Sequence, residues 1–133
     1  MATIKSNTDI SQSRKIAEFL PLESADMYWD YDVLKHEDYP MVMDDQFDDL
    51  CTPAWSLTAL LNVMPQINDW ITPHGHKNDK PSQFEPKICK IWEHSSIPSY
   101  KVTYGNGLST DIYDNPVDAA FEMVLKLHEL GLL

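Results

Sequence analysis

The chain has 133 residues, 43% of them hydrophobic, which is enough to bury one core and fits a single domain spanning 1–133. It carries 21 acidic and 10 basic residues, a formal net charge of −11, which argues against direct binding to nucleic-acid phosphates. Two cysteines make no disulfide framework, and the sequence has no signal-peptide core and no apolar run that could cross a membrane. We therefore expect a cytoplasmic protein with reduced thiols.

The N-terminal part of the chain predicts one short helix and one hairpin. Residues 1–10 are polar, and we expect them to be flexible. Apolar residues on one face predict a helix over about 11–20, which Pro21 ends. Alternation of apolar and polar residues through 27–32 predicts a strand with one buried face, and residues 39–43 are its potential partner.

The middle of the chain predicts a second helix and a long loop. Thr52 is a suitable N-cap and Pro53 suits a first helical position, so we place this helix at about 53–64. Residues 65–86 contain four prolines and no periodic pattern, which is typical of an irregular loop. Strand character returns over 87–93.

The C-terminal third has the most consistent local signals. Residues 100–113 predict a hairpin, and Asn106-Gly107 favours a type I′ turn. Asn115 is a good N-cap for a helix over about 116–130, and Gly131 is a good stop signal. Apolar side chains surround most of this helix, so two elements of the chain must cover it or it forms a homodimer interface. The first option is favoured, because the preceding helix also needs a partner.

Together these elements predict an α+β fold, in which a small antiparallel sheet containing the 100–113 hairpin packs against two or three helices at about 11–20, 53–64 and 116–130.

Candidate catalytic and metal-binding residues are few. His74 and His76 could share a metal ion, but zinc needs three or four fixed ligands, and a solvated loop is favoured. The run Asp44–Asp49 lacks the glycine and glutamate positions of a calcium-binding EF-hand loop. Cys51 precedes the predicted second helix, which can lower a thiol pKa, yet a structural cysteine is favoured. We predict no catalytic residue, metal or cofactor, and a non-enzymatic protein is favoured.

Acidic residues are concentrated between Glu23 and Asp49, where ten of them accompany a single lysine, Lys35. The simplest interpretation is a solvated face that aids solubility. The sharper interpretation is a surface for a basic protein partner, one version being a mimic of the DNA backbone. The candidate interaction residues are Asp30, Asp32, Glu37, Asp38, Asp44, Asp45, Asp48 and Asp49.

Three stretches carry a resemblance to a known group of proteins: Leu20-Pro-Leu-Glu-Ser-Ala-Asp26, Pro53-Ala-Trp-Ser-Leu-Thr-Ala-Leu-Leu61 and Asp114-Asn-Pro-Val-Asp-Ala-Ala-Phe-Glu-Met123. From Leu20 onward the chain resembles short proteins of Bacteroides-type gut anaerobes, their phages and their mobile elements. The proteins it resembles have no established activity, so the resemblance assigns no reaction and no catalytic residue to this chain. What it implies is a genomic context, that of an accessory protein of a mobile element.

Three functional hypotheses follow. The leading one is a non-enzymatic binding or accessory protein, which acts on another protein through an acidic and aromatic-rich surface. The alternative is a small-ligand-binding protein or an enzyme, with a site beneath the 65–86 loop near His74, His76 or His94. The third is a homo-oligomer built on the 116–130 helix.

Overall fold

The fold is α+β, with helices packed against two small antiparallel sheets, as the sequence predicts. It is taken from a computed structural model that describes residues 5–68, 84–92 and 96–133. The helices within these residues are α1 (Ile10–Ile16), α2 (Leu57–Val63) and α3 (Pro116–Glu129), and a 3-10 turn covers Leu22–Ser24. The strands are β1 (Met27–Asp32), β2 (Glu37–Val42), β3 (Thr52–Ala54), β4 (Lys87–Ile91) and β5 (Ser99–Thr103).

The first sheet has the strand order β2-β1-β3, and both pairings are antiparallel. The predicted hairpin of β1 and β2 is confirmed. Trp29 lies on the face that meets the N-terminal segment, where its indole N–H donates to the Thr8 carbonyl. Tyr28 points to the opposite face, against Phe47 of the following loop. The sheet therefore has protein on both faces near its centre.

The predicted start of the second helix is wrong. Thr52–Ala54 form β3 on the free edge of β1, and α2 begins after Ser56, whose hydroxyl accepts from the Ala59 N–H. Asp26, just before β1, accepts hydrogen bonds from both the backbone N–H and the hydroxyl of Ser56. Pairing with β1 and this carboxylate outweigh the local capping preference of Thr52 and Pro53.

Helix α1 is also shorter than predicted, because it ends at Ile16 and residues 17–20 form a turn. Asp9 and Gln12 close a capping box at its start. Of the segment expected to be flexible, residues 1–4 lie outside the described residues. Within the rest, Asn7 is bridged to Ser56 and Thr8 is fully buried.

The second sheet consists of β4 and β5, and the 108–113 segment returns along the other edge of β5. This return pairs Thr103 with Ser109 and Tyr100 with Tyr113, which leaves one extra residue in the returning segment, as in a β-bulge. The predicted type I′ turn is wrong, because positive φ is found at Gly105 and Gly107 and not at Asn106. The loop has three residues, since Tyr104 N–H donates to the Leu108 carbonyl.

Helix α3 is covered within the chain, by β5, α2 and α1. Its buried residues, among them Val117, Met123 and Leu127, belong to the main core. The predicted ends are confirmed: Asn115 caps the first turn, and Leu132 and Gly131 donate N–H groups to the last carbonyls in a Schellman motif. This internal cover accounts for the apolar circumference of the helix without a second copy of the chain. Among the described residues, no helix is long and apolar enough to span a membrane.

Candidate functional site

All eight candidate interaction residues lie in one part of the fold, the β1–β2 hairpin and the loop that joins it to β3. We call residues 27–51 the acidic hairpin unit. In an antiparallel pair, residues directly opposite each other project from the same face. The register therefore decides which of these carboxylates can act together.

The strand carboxylates divide unequally between the two faces of the sheet. Asp32 is paired with Glu37 and Asp30 is paired with Tyr39, so these three carboxylates share a face. Asp38 is paired with Tyr31 and lies on the other face. The charge is therefore concentrated on one face but not confined to it.

The loop after β2 folds back over the face that carries Asp30. The Tyr28 hydroxyl donates to Asp44 at 2.8 Å, and the Tyr28 ring meets Phe47 edge-on at a centroid distance of 5.7 Å. The same Asp44 oxygen accepts the Gln46 N–H at 2.9 Å. Burial, followed by the hydrogen bond to Asp44, raises the pKa of Tyr28 to about 12. Asp44 is therefore a structural anchor of the loop through these hydrogen bonds, although it is exposed, as Asp45 and Asp49 are.

Asp30 contacts both β2, through Tyr39, and the end of the loop, through Cys51. Its carboxylate accepts the Tyr39 hydroxyl at 3.2 Å, and burial followed by the Asp30 charge raises the pKa of Tyr39. The Cys51 thiol lies 3.9 Å from Asp30. A backbone hydrogen bond at Asp48 lowers the thiol pKa, but burial and the neighbouring carboxylates outweigh it, and the net pKa is raised. Cys51 precedes a strand rather than a helix, so the expected physical reason for reactivity is absent.

Two leucines project from the acidic hairpin unit into solvent. Leu34 is 92% exposed at the tip of the hairpin, and Leu50 is 95% exposed in the loop. Asp32 accepts the Leu34 N–H at 2.9 Å, and Asp48 accepts the Leu50 N–H at 2.8 Å. Each aspartate thus closes an Asx turn that presents the leucine two residues later.

Sequence reasoning identified the carboxylates of this unit and missed the leucines. The signal that could have found them is a repeated local pattern: Asp32-Val33-Leu34 and Asp48-Asp49-Leu50 both read Asp-x-Leu, with the leucine outside the predicted strands and helices. In both turns the leucine lies outside a strand or helix, so no regular face buries it.

The structure gives no support to a metal centre in the part of the chain it describes. No group of three or more His, Cys, Asp or Glu side chains there could hold a metal ion, and this includes the acidic run Asp44–Asp49. His74, His76 and His94 lie outside the described residues, as does most of the 65–86 loop. The alternative site beneath that loop stays a prediction.

Comparisons with known proteins add no relative to this picture. A scan against protein-family models, a search of curated proteins and a search of solved structures each found no match.

Proposed function

We propose that this chain is a non-enzymatic binding protein, which docks on another protein through the acidic hairpin unit. The observation that carries the proposal is the pair of Asp-x-Leu turns, in which an almost fully exposed leucine stands beside carboxylates. Large exposed apolar side chains cost free energy in a free monomer, and a partner that covers them recovers it. Four aliphatic side chains of this kind lie in this unit, Val33, Leu34, Val42 and Leu50, together with the half-exposed ring of Tyr31.

The negative charge of the acidic hairpin unit indicates that its partner has a basic surface. Eight carboxylates accompany one lysine, Lys35, between residues 27 and 51. A partner surface with lysines or arginines around an apolar pocket complements both features, and opposite charge speeds the encounter. Asp30, Asp32 and Glu37 on one face also fit a mimic of the DNA backbone. Leu34 and Leu50 favour a protein surface with apolar pockets, because a phosphate backbone offers no counterpart to them.

The resemblance to mobile-element proteins suggests where such a partner would act. An acidic accessory protein of this kind would engage a basic protein of the host or of the element. This biological setting is part of the proposal.

A peptide-display selection tests the proposed function without knowledge of the partner. We expect peptides selected on the immobilised chain to combine basic and apolar residues, and their binding to weaken as salt is raised. The double variant Leu34→Ser/Leu50→Ser should lose most of this binding. Leu22→Ser, at an exposed leucine outside the unit, is the matched control and should keep it.

Two results would contradict the proposal. One is a selection that yields no basic peptides. The other is an equal loss of binding in the double variant and in Leu22→Ser, which would show that any exposed leucine serves. Circular dichroism of each variant establishes that the fold is retained.

A further inference from the structure

A cleft of about 270 Å³ lies on the opposite face of the first sheet from Asp30. One wall is formed by Trp29 and Pro40, which are paired across β1 and β2. The other walls are four residues of the N-terminal segment and the two residues that precede α3: Lys5, Ser6, Asn7, Asp9, Asp114 and Asn115. The volume is just below the roughly 300–1,000 Å³ of pockets for small molecules, so it suits a single side chain.

The apolar wall of the cleft is held rigidly. The Trp29 indole N–H donates to the Thr8 carbonyl at 2.9 Å, which fixes the ring between β1 and the N-terminal segment. With its only donor used, the indole offers an occupant its ring and not a hydrogen bond. The electron-rich face of tryptophan attracts cations more strongly than that of any other side chain.

The polar side of the cleft has surplus negative charge. Lys5 is the cation at this site, and its ammonium group contacts Asp9, Gln12 and Asp118 at 3.3, 2.8 and 2.6 Å. Asp114 is exposed and takes part in none of the ion pairs found among the described residues. A positively charged occupant would therefore find a carboxylate that no cation of the described chain neutralises.

We propose that this cleft binds an arginine side chain of a partner polypeptide. A guanidinium group is planar, so it can lie on the indole while its N–H groups donate to the Asp114 carboxylate. The inference rests on the proposed function, because it names one side chain of the basic partner. It adds a second contact region, on the face of the sheet that carries Trp29 rather than Asp30.

Titration with capped amino acids, followed by NMR of the tryptophan indole N–H signals, tests the assignment. The probes are N-acetylarginine amide, its lysine counterpart and the neutral norleucine counterpart. We expect the Trp29 signal, identified by its loss in Trp29→Phe, to shift saturably with the arginine probe in the millimolar range. Lysine should shift it less, and norleucine should leave it in place.

Two variants test whether the Asp114 carboxylate takes part in arginine binding. Asp114→Asn should weaken arginine binding about three- to fivefold, the size expected for a solvent-accessible ion pair. Asp111→Asn removes an exposed carboxylate outside the cleft and should leave the binding unchanged.

Four results would overturn the proposal: a Trp29 signal that does not move, an equal response to lysine, an equal response to norleucine, and an equal effect of the two asparagine variants. None of these readouts involves Leu34 or Leu50, so failure here is distinguishable from failure of the peptide selection.

Discussion

The ammonium group of Lys5 donates to the carboxylate of Asp118 at 2.6 Å, across a sequence separation of 113 residues. Asp118 also accepts from the side-chain amides of Gln12 and Asn115, at 2.8 and 2.7 Å. This carboxylate therefore joins the N-terminal segment, α1 and the first turn of α3. The same junction forms one side of the cleft beside Trp29.

Replacement of Asp118 by asparagine should destabilise the fold. The variant loses a charge-assisted contact with Lys5 and the favourable placement of a negative charge at the start of α3. We expect the free energy of unfolding to fall by about 2 kcal/mol. Urea denaturation measures this loss, and Asp111→Asn, at an exposed aspartate, is the matched control.

A double-mutant cycle with Lys5→Met isolates the contact itself. If the ion pair carries the loss, the two substitutions together should cost less than the sum of their separate effects. Strict additivity would contradict the interpretation, because it would mean that Asp118 acts without Lys5.

The same carboxylate should make stability depend on pH. Partial burial raises the pKa of Asp118, but hydrogen bonds from Lys5, Gln12 and Asn115 outweigh it, and the net pKa lies below the ordinary value of 3.8. Between the pKa in the folded state and 3.8, the unfolded chain binds the proton more tightly than the folded chain does. The contribution of Asp118 to stability is therefore present above pH 3.8 and disappears as the pH falls through the pKa of the folded state. Unfolding curves of the wild type and Asp118→Asn should therefore converge below pH 3.8, and a constant separation down to pH 2 would contradict this.

The helix ends show what local sequence could and could not predict. The cap at Asn115 and the stop at Gly131 depend on neighbouring residues only, and both were predicted correctly. Thr52 and Pro53 have equally good local signals, yet they form a strand because β1 has a free edge and Asp26 holds Ser56. The helix-capping preference of these residues is worth only about 1 kcal/mol. Pairing with β1 outweighs it, and that pairing cannot be predicted from the local sequence.

Of the two regions proposed for binding, only the acidic hairpin unit was visible in the sequence, as a run of charge. The cleft was not, because Lys5, Trp29 and Asp114 are distant in the chain and meet only when the N-terminal segment packs between the sheet and α3.

Replacement of Thr110 by valine should destabilise the second sheet, although the two side chains have similar shapes. The Thr110 hydroxyl accepts the Val102 N–H at 3.0 Å, at the place where the extra residue interrupts regular pairing with β5. Val102 is fully buried, so its N–H would lose its acceptor in a site with no access to water. An unsatisfied buried donor costs about 1–3 kcal/mol, and thermal and urea unfolding should both register the loss. Thr110→Ser, which keeps the hydroxyl, should retain more stability than Thr110→Val, and the reverse order would contradict the role of this hydrogen bond.

Tyr28 should make the wild type lose stability in alkali. Its pKa is raised from 10.0 to about 12, so between these values the unfolded chain ionises while the folded chain keeps the proton. The unfolded state is thereby favoured, and stability falls as the pH rises through this window. Tyr28→Phe should start less stable, because the hydrogen bond to Asp44 is lost, but should show a shallower decline over the same pH range. Val42→Ala alters a neighbouring exposed side chain without a titrating group, and its decline should parallel that of the wild type. Equal slopes for the wild type and Tyr28→Phe would show that Tyr28 is not what makes the acidic hairpin unit sensitive to alkali.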